Sequence, residues 1–386
     1  MTITAIKNIG TLVSGEIKKG TLDADTIICE DGVISKIGKE INVGDASILI
    51  DARHTTVIPG LIDSHCHTVL GDYTPRQKQV DFLDSYVHGG ITSVVTASEG
   101  VHAPGLPHDP IAVKALAIAT LKCFQNFRPN GMKVNGGSVK LEPGLTETDF
   151  GEMAKCGVRY AKFGFGGYSE PKEGQQDVRM AQTHGMLVMA HSGGASIPGS
   201  SPISHEVLIH LKVDVCGHVN GGTTSLDDDG LELIIKDTDM ALQLVQAGNL
   251  RSALHILRLA KKYDALHRVC IGSDTPTGTG VMPLGVMKSV CELCSLGDLQ
   301  PEIGIALATG NNAKIFRLAV GTIQEGKPAD LVICDAPAGS VANNAVEAIR
   351  RGDIPGISIV LIDGHIQVKR SRNSPVANRL ASVTSR

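Results

Sequence analysis

Five residues fit for metal or proton chemistry stand at the ends of hydrophobic runs. His65 and His67 close Pro59-Gly60-Leu61-Ile62-Asp63-Ser64-His65-Cys66-His67, His191 follows Met189-Ala190, His218 follows Cys216-Gly217, and Asp274 follows Ile271-Gly272-Ser273. On an extended strand, residues two apart face the same side, so His65 and His67 can reach one ion together. Imidazole and carboxylate are donors suited to zinc, iron or manganese. With 14 histidines in 386 residues, about one position in 28 carries one by chance. Taken alone, a histidine such as His191 reads as a satisfied core or capping residue; four at run ends, with an aspartate, point to a shared metal centre.

The surrounding pattern says how these ends would be brought together. Short β-branched or apolar runs alternate with helical segments of ten to eighteen residues, as in βαβ units with a parallel sheet. The strand candidates are Val57–Ile62, Ile91–Thr96, Lys133–Val139, Val158–Phe163, Met186–Ala190, Val213–Gly217, Met240–Leu244 and Val269–Ser273. The third is interrupted by glycine, and the seventh resembles a helix end. Eight such units predict an α/β chain folded as a (β/α)8 TIM barrel; a doubly wound open sheet is the alternative that pattern alone leaves. Gly164-Phe165-Gly166-Gly167, Ser192-Gly193-Gly194, Asn220-Gly221-Gly222 and the stretch 275–280 all follow strands. Loops in those places build a barrel's active face.

The chain ends have a different texture. Short strands punctuated by Gly and Asp fill residues 1–56, and similar ones return from Gly321-Thr322-Ile323 to Val368. The expected organisation is a small discontinuous β-sandwich domain from 1–56 and 319–370, a barrel over 57–318, and a C-terminal tail, 371–386, held loosely from Asn373 onward.

Composition excludes several classes. A 42% apolar and 20% charged chain is an ordinary globular one. A net charge of −4, no dense Lys/Arg stripe and 3% aromatic residues without Trp argue against nucleic acid. The start Met1-Thr2-Ile3-Thr4-Ala5-Ile6-Lys7 has no basic segment followed by an apolar one, and no run approaches the ~20 apolar residues that span a bilayer. No membrane association and a cytoplasmic location are therefore expected. Nine scattered cysteines suit reduced thiols, and Cys291-Glu292-Leu293-Cys294, in an apolar helical pattern without a second pair, reads as structural.

His65 and His67 after the first strand candidate, Lys162 in Tyr160-Ala161-Lys162-Phe163-Gly164 after the fourth, His191 and His218 after the fifth and sixth, and Asp274 after the eighth resemble the amidohydrolase superfamily. Gly321-Thr322-Ile323 and Gly326-Lys327-Pro328-Ala329-Asp330-Leu331 resemble that family's C-terminal return strand, so the likeness covers nearly the whole chain. It implies hydrolysis of a cyclic amide C–N bond. The overall likeness runs to members that open a carboxylated cyclic enamide to an aldehyde and ammonia. It further implies two divalent ions, zinc and/or iron: His65, His67 and Asp274 would hold the first, and His191 and His218 the second. A CO2-derived carbamate on Lys162 would bridge them, and Asp274 would take a proton from the attacking water and return it to the leaving nitrogen. The apolar, Gly-rich setting of Lys162 independently favours the neutral amine that captures CO2. A snorkelling surface lysine is the other reading of that residue, and Lys140 and Glu142 are rival bridges.

The implied partner is a small carboxylated cyclic amide, and the family likeness implies a homo-oligomer, a tetramer. A substrate carboxylate needs cations or donors; Tyr73, Arg76, Lys78, Tyr168 and the backbone of Asn220-Gly221-Gly222 are the candidates, while His102 and His108 could line the pocket. Rival activities on the same site are dihydroorotase-, hydantoinase- or dipeptidase-like hydrolysis and a one-metal deamination. A catalytically dead scaffold would have lost ligands, and every matched position is filled.

Overall fold

The hydrophobic runs become strands wherever a glycine or polar residue lets the chain leave the sheet. The computed structural model describes residues 3–385 apart from 72, 75, 76, 196, 198, 222–224 and 278. Its core strands are β1 (Leu61–Cys66), β2 (Ile91–Thr96), β3 in two pieces (Lys133–Asn135 and Ser138–Lys140), β4 (Tyr160–Phe163), β5 (Leu187–Ala190), β6 (Val215–Cys216), β7 (Ala241–Val245) and β8 (Val269–Gly272). All neighbours in this series pair in parallel, with helices in most of the connections. This is an α/β core of the TIM-barrel type.

The ladder is interrupted at two places, and the hydrogen bonds there show how. The first piece of β3 pairs with β2 and the second with β4, with Gly136-Gly137 between them. The buried Glu99 carboxylate accepts the freed backbone N–H groups of Gly137 and Ser138 at 2.8 and 3.0 Å, so the break leaves no orphaned donor there. Between β8 and β1, Ser64 Oγ donates to the Ile271 carbonyl at 2.8 Å, Asp274 N to the His65 carbonyl at 2.9 Å, and His67 N to the Thr275 carbonyl at 2.9 Å. Inside, Tyr160, Leu187, Met189, Val215, Ala241 and Cys270 form one apolar cluster with Phe316. Alternation along each strand then places Lys162, His191 and Gln243 on the same face as these residues, one or two steps nearer the strand ends.

Two expectations change. The run Val57–Ile62 spans two strands: Thr56–Pro59 pairs with Leu331–Asp335 and Thr11–Val13, and only Leu61–Cys66 enters the core. Both pieces are apolar, so no change of polarity marks the boundary; the break falls at Gly60, where an added Cβ would lie 2.2 Å from Thr92 Oγ1. Nor is the tail loose. Ser382–Ser385 pairs antiparallel with Ile48–Asp51, Arg379 forms a salt bridge with the buried Asp335 at 2.9 Å, and Asn373 Nδ2 donates to Ser85. Its polar composition suggested solvent, but its binding energy lies in backbone pairing and charge-assisted hydrogen bonds.

The chain ends supply two further sheets, one of five strands and one of six. A single buried cluster joins Ile6, Ile27 and Ile50 of the first to Leu12, Val57, Leu331 and Ile359 of the second. Among the described residues no helix is long and apolar enough to cross a membrane.

Candidate metal centre

β1 ends in the pair that the spacing promised, and β8 brings its aspartate alongside. Asp274 Oδ1 lies 3.0 Å from His67 Nε2 and 3.4 Å from His65 Nε2. The ligand atoms of these three residues all fall within 4.8 Å of one another. On the other side His191 Nδ1 is 3.0 Å from His218 Nε2, and the His218 and His65 rings are 5.4 Å apart. Lys162 Nζ reaches in from β4 to 3.4 Å from His65 Nε2. Two of these residues hold left-handed backbone conformations, His218 at φ 36° and Asp274 at φ 56°. Such strain in non-glycine residues is typical of functional sites, where surrounding structure imposes it.

Hydrogen bonds orient the rings. His65 Nδ1 contacts Gln243 Oε1 at 2.5 Å, and Gln243 Nε2 donates to Ser64 O at 2.8 Å, which fixes the amide so that its oxygen faces the ring. His65 Nδ1 therefore carries the proton and its Nε2 presents a lone pair. His191 Nε2 donates to the Gly194 carbonyl at 2.7 Å, turning Nδ1 toward His218. Burial pulls His191 down to about 4 and holds His65 and His218 well below the usual imidazole range, so the rings are neutral at pH 7. Neutral imidazoles with opposed lone pairs, beside a carboxylate and fixed from behind, form a donor set fit for divalent cations. Burial also brings Lys162 down to about 8, within reach of the neutral amine.

Close approach is built into the backbone. A Cβ at Gly272 would meet His65 Cβ at 2.7 Å, and one at Gly164, where φ is +105°, would meet His191 Cβ at 2.6 Å. Behind β1, buried Asp63 accepts from Ser273 Oγ at 2.5 Å, Ser273 N at 2.8 Å and His65 N at 3.1 Å, tying β8 to β1; burial pushes its carboxyl up to about 7. Sequence reasoning passed over Gln243 and Asp63. Each had a signal, a polar residue inside an otherwise apolar run.

The six matched residues thus converge. The residues expected to bind substrate fare differently. Tyr73 is exposed on a two-residue strand, Tyr73–Thr74. Tyr168 donates its hydroxyl to Asp177 at 2.6 Å, on the helix Gln175–Thr183. The Asn220 amide is spent on both backbone groups of Val245, at 2.8 and 2.9 Å. Arg76 and Gly222 lie outside the described residues. His102 packs edge-on to His67, ring centroids 4.4 Å apart, and His108 Nδ1 is 2.8 Å from Glu142 Oε1. The rival bridges, Lys140 and Glu142, are paired with each other at 2.6 Å.

Residues 155–366 match the model of the amidohydrolase family, and with this site in place the chain belongs to that family. Membership, together with a full-length likeness to a curated amide hydrolase, makes it a hydrolase of amide C–N bonds in a small-molecule substrate, in a family that binds divalent metal ions. It is 47% identical to the enamidase of Eubacterium barkeri over 99% of this chain and 100% of that one. A crystal structure of enamidase superposes with a TM-score of 0.95 at 47% identity, covering 99% of this chain and 100% of that chain. More distantly, imidazolonepropionase of Salinispora tropica is 25% identical over 87% of this chain and 93% of its own length. The D-hydantoinase of a Thermus species, at 17% identity and a TM-score of 0.65 over 96% of both chains, shares the fold.

Proposed function

We propose that this chain is an enamidase, hydrolysing 1,4,5,6-tetrahydro-6-oxonicotinate with two waters to 2-formylglutarate and ammonia. The full-length likeness to the Eubacterium barkeri enamidase carries the choice of substrate. The converged donor set supports the chemistry.

His65, His67 and Asp274 would hold one divalent ion and His191 and His218 a second, with Lys162 as its carbamate the further ligand that the family likeness implies; zinc and iron both suit these donors. When bound, such ions lower the pKa of water from 15.7 to about 7 and polarise the amide carbonyl. Asp274, the catalytic acid and base, takes the proton of the attacking water and gives it to the ring nitrogen as the C–N bond breaks. The enamine so released tautomerises to an imine, and a second water yields the aldehyde and ammonia. Gln243 and the Gly194 carbonyl keep His65 and His191 in the required tautomers throughout. Tyr73, Arg76, Tyr168 and Asn220, the last through its backbone, are the substrate contacts read from sequence, although the Tyr168 hydroxyl and the Asn220 amide are bonded to Asp177 and Val245.

The same reading takes residues 57–318, with Thr56–Pro59 given over to the sheet of the chain ends, as a closed barrel, supported by the bonds from Ser64, His67 and Asp274 across β1 and β8. Residues 1–56 and 319–370 then form a β-sandwich, supported by their shared apolar cluster, with 371–386 as its C-terminal tail. Nine free thiols, seven of them buried, favour a reducing, cytoplasmic setting. A homo-oligomer, a tetramer by family likeness, completes the reading.

The test is ammonia and aldehyde release from the oxonicotinate by metal-replete protein, with metal content measured alongside. Turnover with two ions per chain is expected. Hydrolysis of hydantoin or dihydroorotate without hydrolysis of the oxonicotinate, or a single ion per active chain, overturns the assignment.

A further inference from the structure

Two lysines are the only buried Lys or Arg side chains among the described residues, Lys162 and Lys140. Lys162 belongs to the metal centre. Lys140 is its register partner on the neighbouring strand, and paired residues of adjacent parallel strands point to the same face, so both project into the barrel. Lys140 is 5% exposed at the end of β3, and its ammonium contacts Glu142 Oε1 at 2.6 Å. That carboxylate is shared: His108 Nδ1 lies 2.8 Å from Oε1, and Gly167 N donates to Oε2 at 2.7 Å. Glu142 therefore spreads its charge over three partners and fixes the direction of Lys140 without consuming its three N–H donors.

Resting on the enamidase reading, we infer that Lys140 is the anchor for the substrate carboxylate, aimed by Glu142, which His108 and the Gly167 N–H hold in turn. An anionic ring entering a buried mouth needs a cation there, because an unpaired carboxylate taken from water is heavily penalised. Carboxylate and amide carbonyl stand at opposite corners of the six-membered ring, a separation of about one strand spacing, ~4.8 Å. A ring presenting its carbonyl to the centre beside Lys162 therefore brings its carboxylate to the neighbouring strand end, where Lys140 lies. Of the residues first read as anchors, the Asn220 amide and the Tyr168 hydroxyl are committed to the protein, Tyr73 is exposed, and Arg76 lies outside the described residues.

The test is a selectivity ratio. kcat/KM is measured for 1,4,5,6-tetrahydro-6-oxonicotinate and for 3,4-dihydro-2-pyridone, the same ring without the carboxylate. The wild type should prefer the acid by about 10- to 100-fold, the worth of a hydrogen-bonded charge pair. Lys140→Met should bring that ratio near one, and Lys140→Arg should restore part of it. Because Lys140→Met strands a buried carboxylate, Lys140→Met/Glu142→Gln is measured as well, with folding and metal content checked by melting and elemental analysis. A wild-type ratio surviving in the folded, metal-loaded double variant overturns the assignment, as does parallel loss on both rings. Calorimetry with 6-oxopiperidine-3-carboxylate against 2-piperidone reads the same preference without turnover. A wild type that releases no ammonia sinks the enamidase reading, yet this binding preference, present or absent, still decides for or against Lys140.

Discussion

Lys162 and Lys140 sit side by side on β4 and β3, equally hidden from water, and meet different neighbours. Around Lys162 are His65 Nε2 at 3.4 Å, the Met189 sulfur at 3.7 Å and the Phe165 ring at 5.8 Å. Among the described residues no carboxylate comes within ion-pair distance of it. Lys140 has Glu142 at 2.6 Å. Burial by itself disfavours the ammonium, and only a nearby anion restores it. One strand end therefore brings the neutral form of its amine within reach, while the next pairs its amine with a carboxylate. The presence of Glu142 on one loop is what separates the two chemistries.

The largest effect expected is from Lys162→Met. Activity should fall on the order of 10³-fold, with loss of bound metal, since removal of preorganised charge stabilisation at a reacting centre has that scale. Added acetate should recover part of both by standing in for the bridge; full activity without Lys162 would show that no bridge is needed. On the β3 side the loss is in stability. Lys140→Met alone leaves the Glu142 charge buried and should cost about 3–5 kcal/mol, whereas the neutral double variant with Glu142→Gln should return close to wild type. Thermal melts of the metal-free proteins decide this, and equal destabilisation by both variants would mean that the pair is not charged.

The candidate metal ligands were legible because a polar residue closing an apolar run is informative by itself: His65, His67, His191, His218 and Asp274 each stand at or near a strand end, and Lys162 joined them through family likeness. What could not be read were relations across the barrel. Gln243 acts on a residue 178 positions away, Asp63 on Ser273, and Glu99 on a break in β3; no local pattern states those partnerships. Asn220 reads from sequence as a substrate contact through the backbone of Asn220-Gly221-Gly222, where nothing local foretells that its side-chain amide bonds the backbone of β7. Lys140 and Glu142 were weighed only as metal bridges. Their mutual pairing is a property of the loop that returns Glu142 over β3. The tail misled for a related reason, since strand pairing uses the backbone, which composition does not show.

The pH dependence sharpens the contrast next. The Lys162 amine titrates at about 8 in the folded protein against 10.5 for an ordinary lysine. Between those values the unfolded chain binds the extra proton and the folded one does not, so stability of the metal-free protein rises with pH across that window. Below about pH 8 both states are protonated and the penalty for the buried ammonium is constant. Relative to Lys162→Met, the metal-free wild type should gain up to about 3 kcal/mol from pH 8 to 10.5. Parallel stability curves for the two proteins over that range would show that Lys162 is not desolvated as its surroundings require.

The smallest effect tests what fixes the ring beside Lys162. His65, the ring nearest Lys162, is steered from behind by the neutral amide of Gln243 rather than by a carboxylate, the device used on the β3 side. Gln243→Leu keeps the apolar fill of the barrel but removes the acceptor that holds the proton on His65 Nδ1. The ring could then adopt the tautomer with Nε2 protonated, its lone pair facing away from the ion. Loss of such an outer partner weakens metal binding by about 10- to 100-fold, so chelator competition should show that decrease. Activity at saturating metal should recover most of the way, because the ligands themselves are intact. Unchanged affinity in Gln243→Leu would mean that the packing of β7 and β8, where Gly272 lies against His65, already fixes the ring.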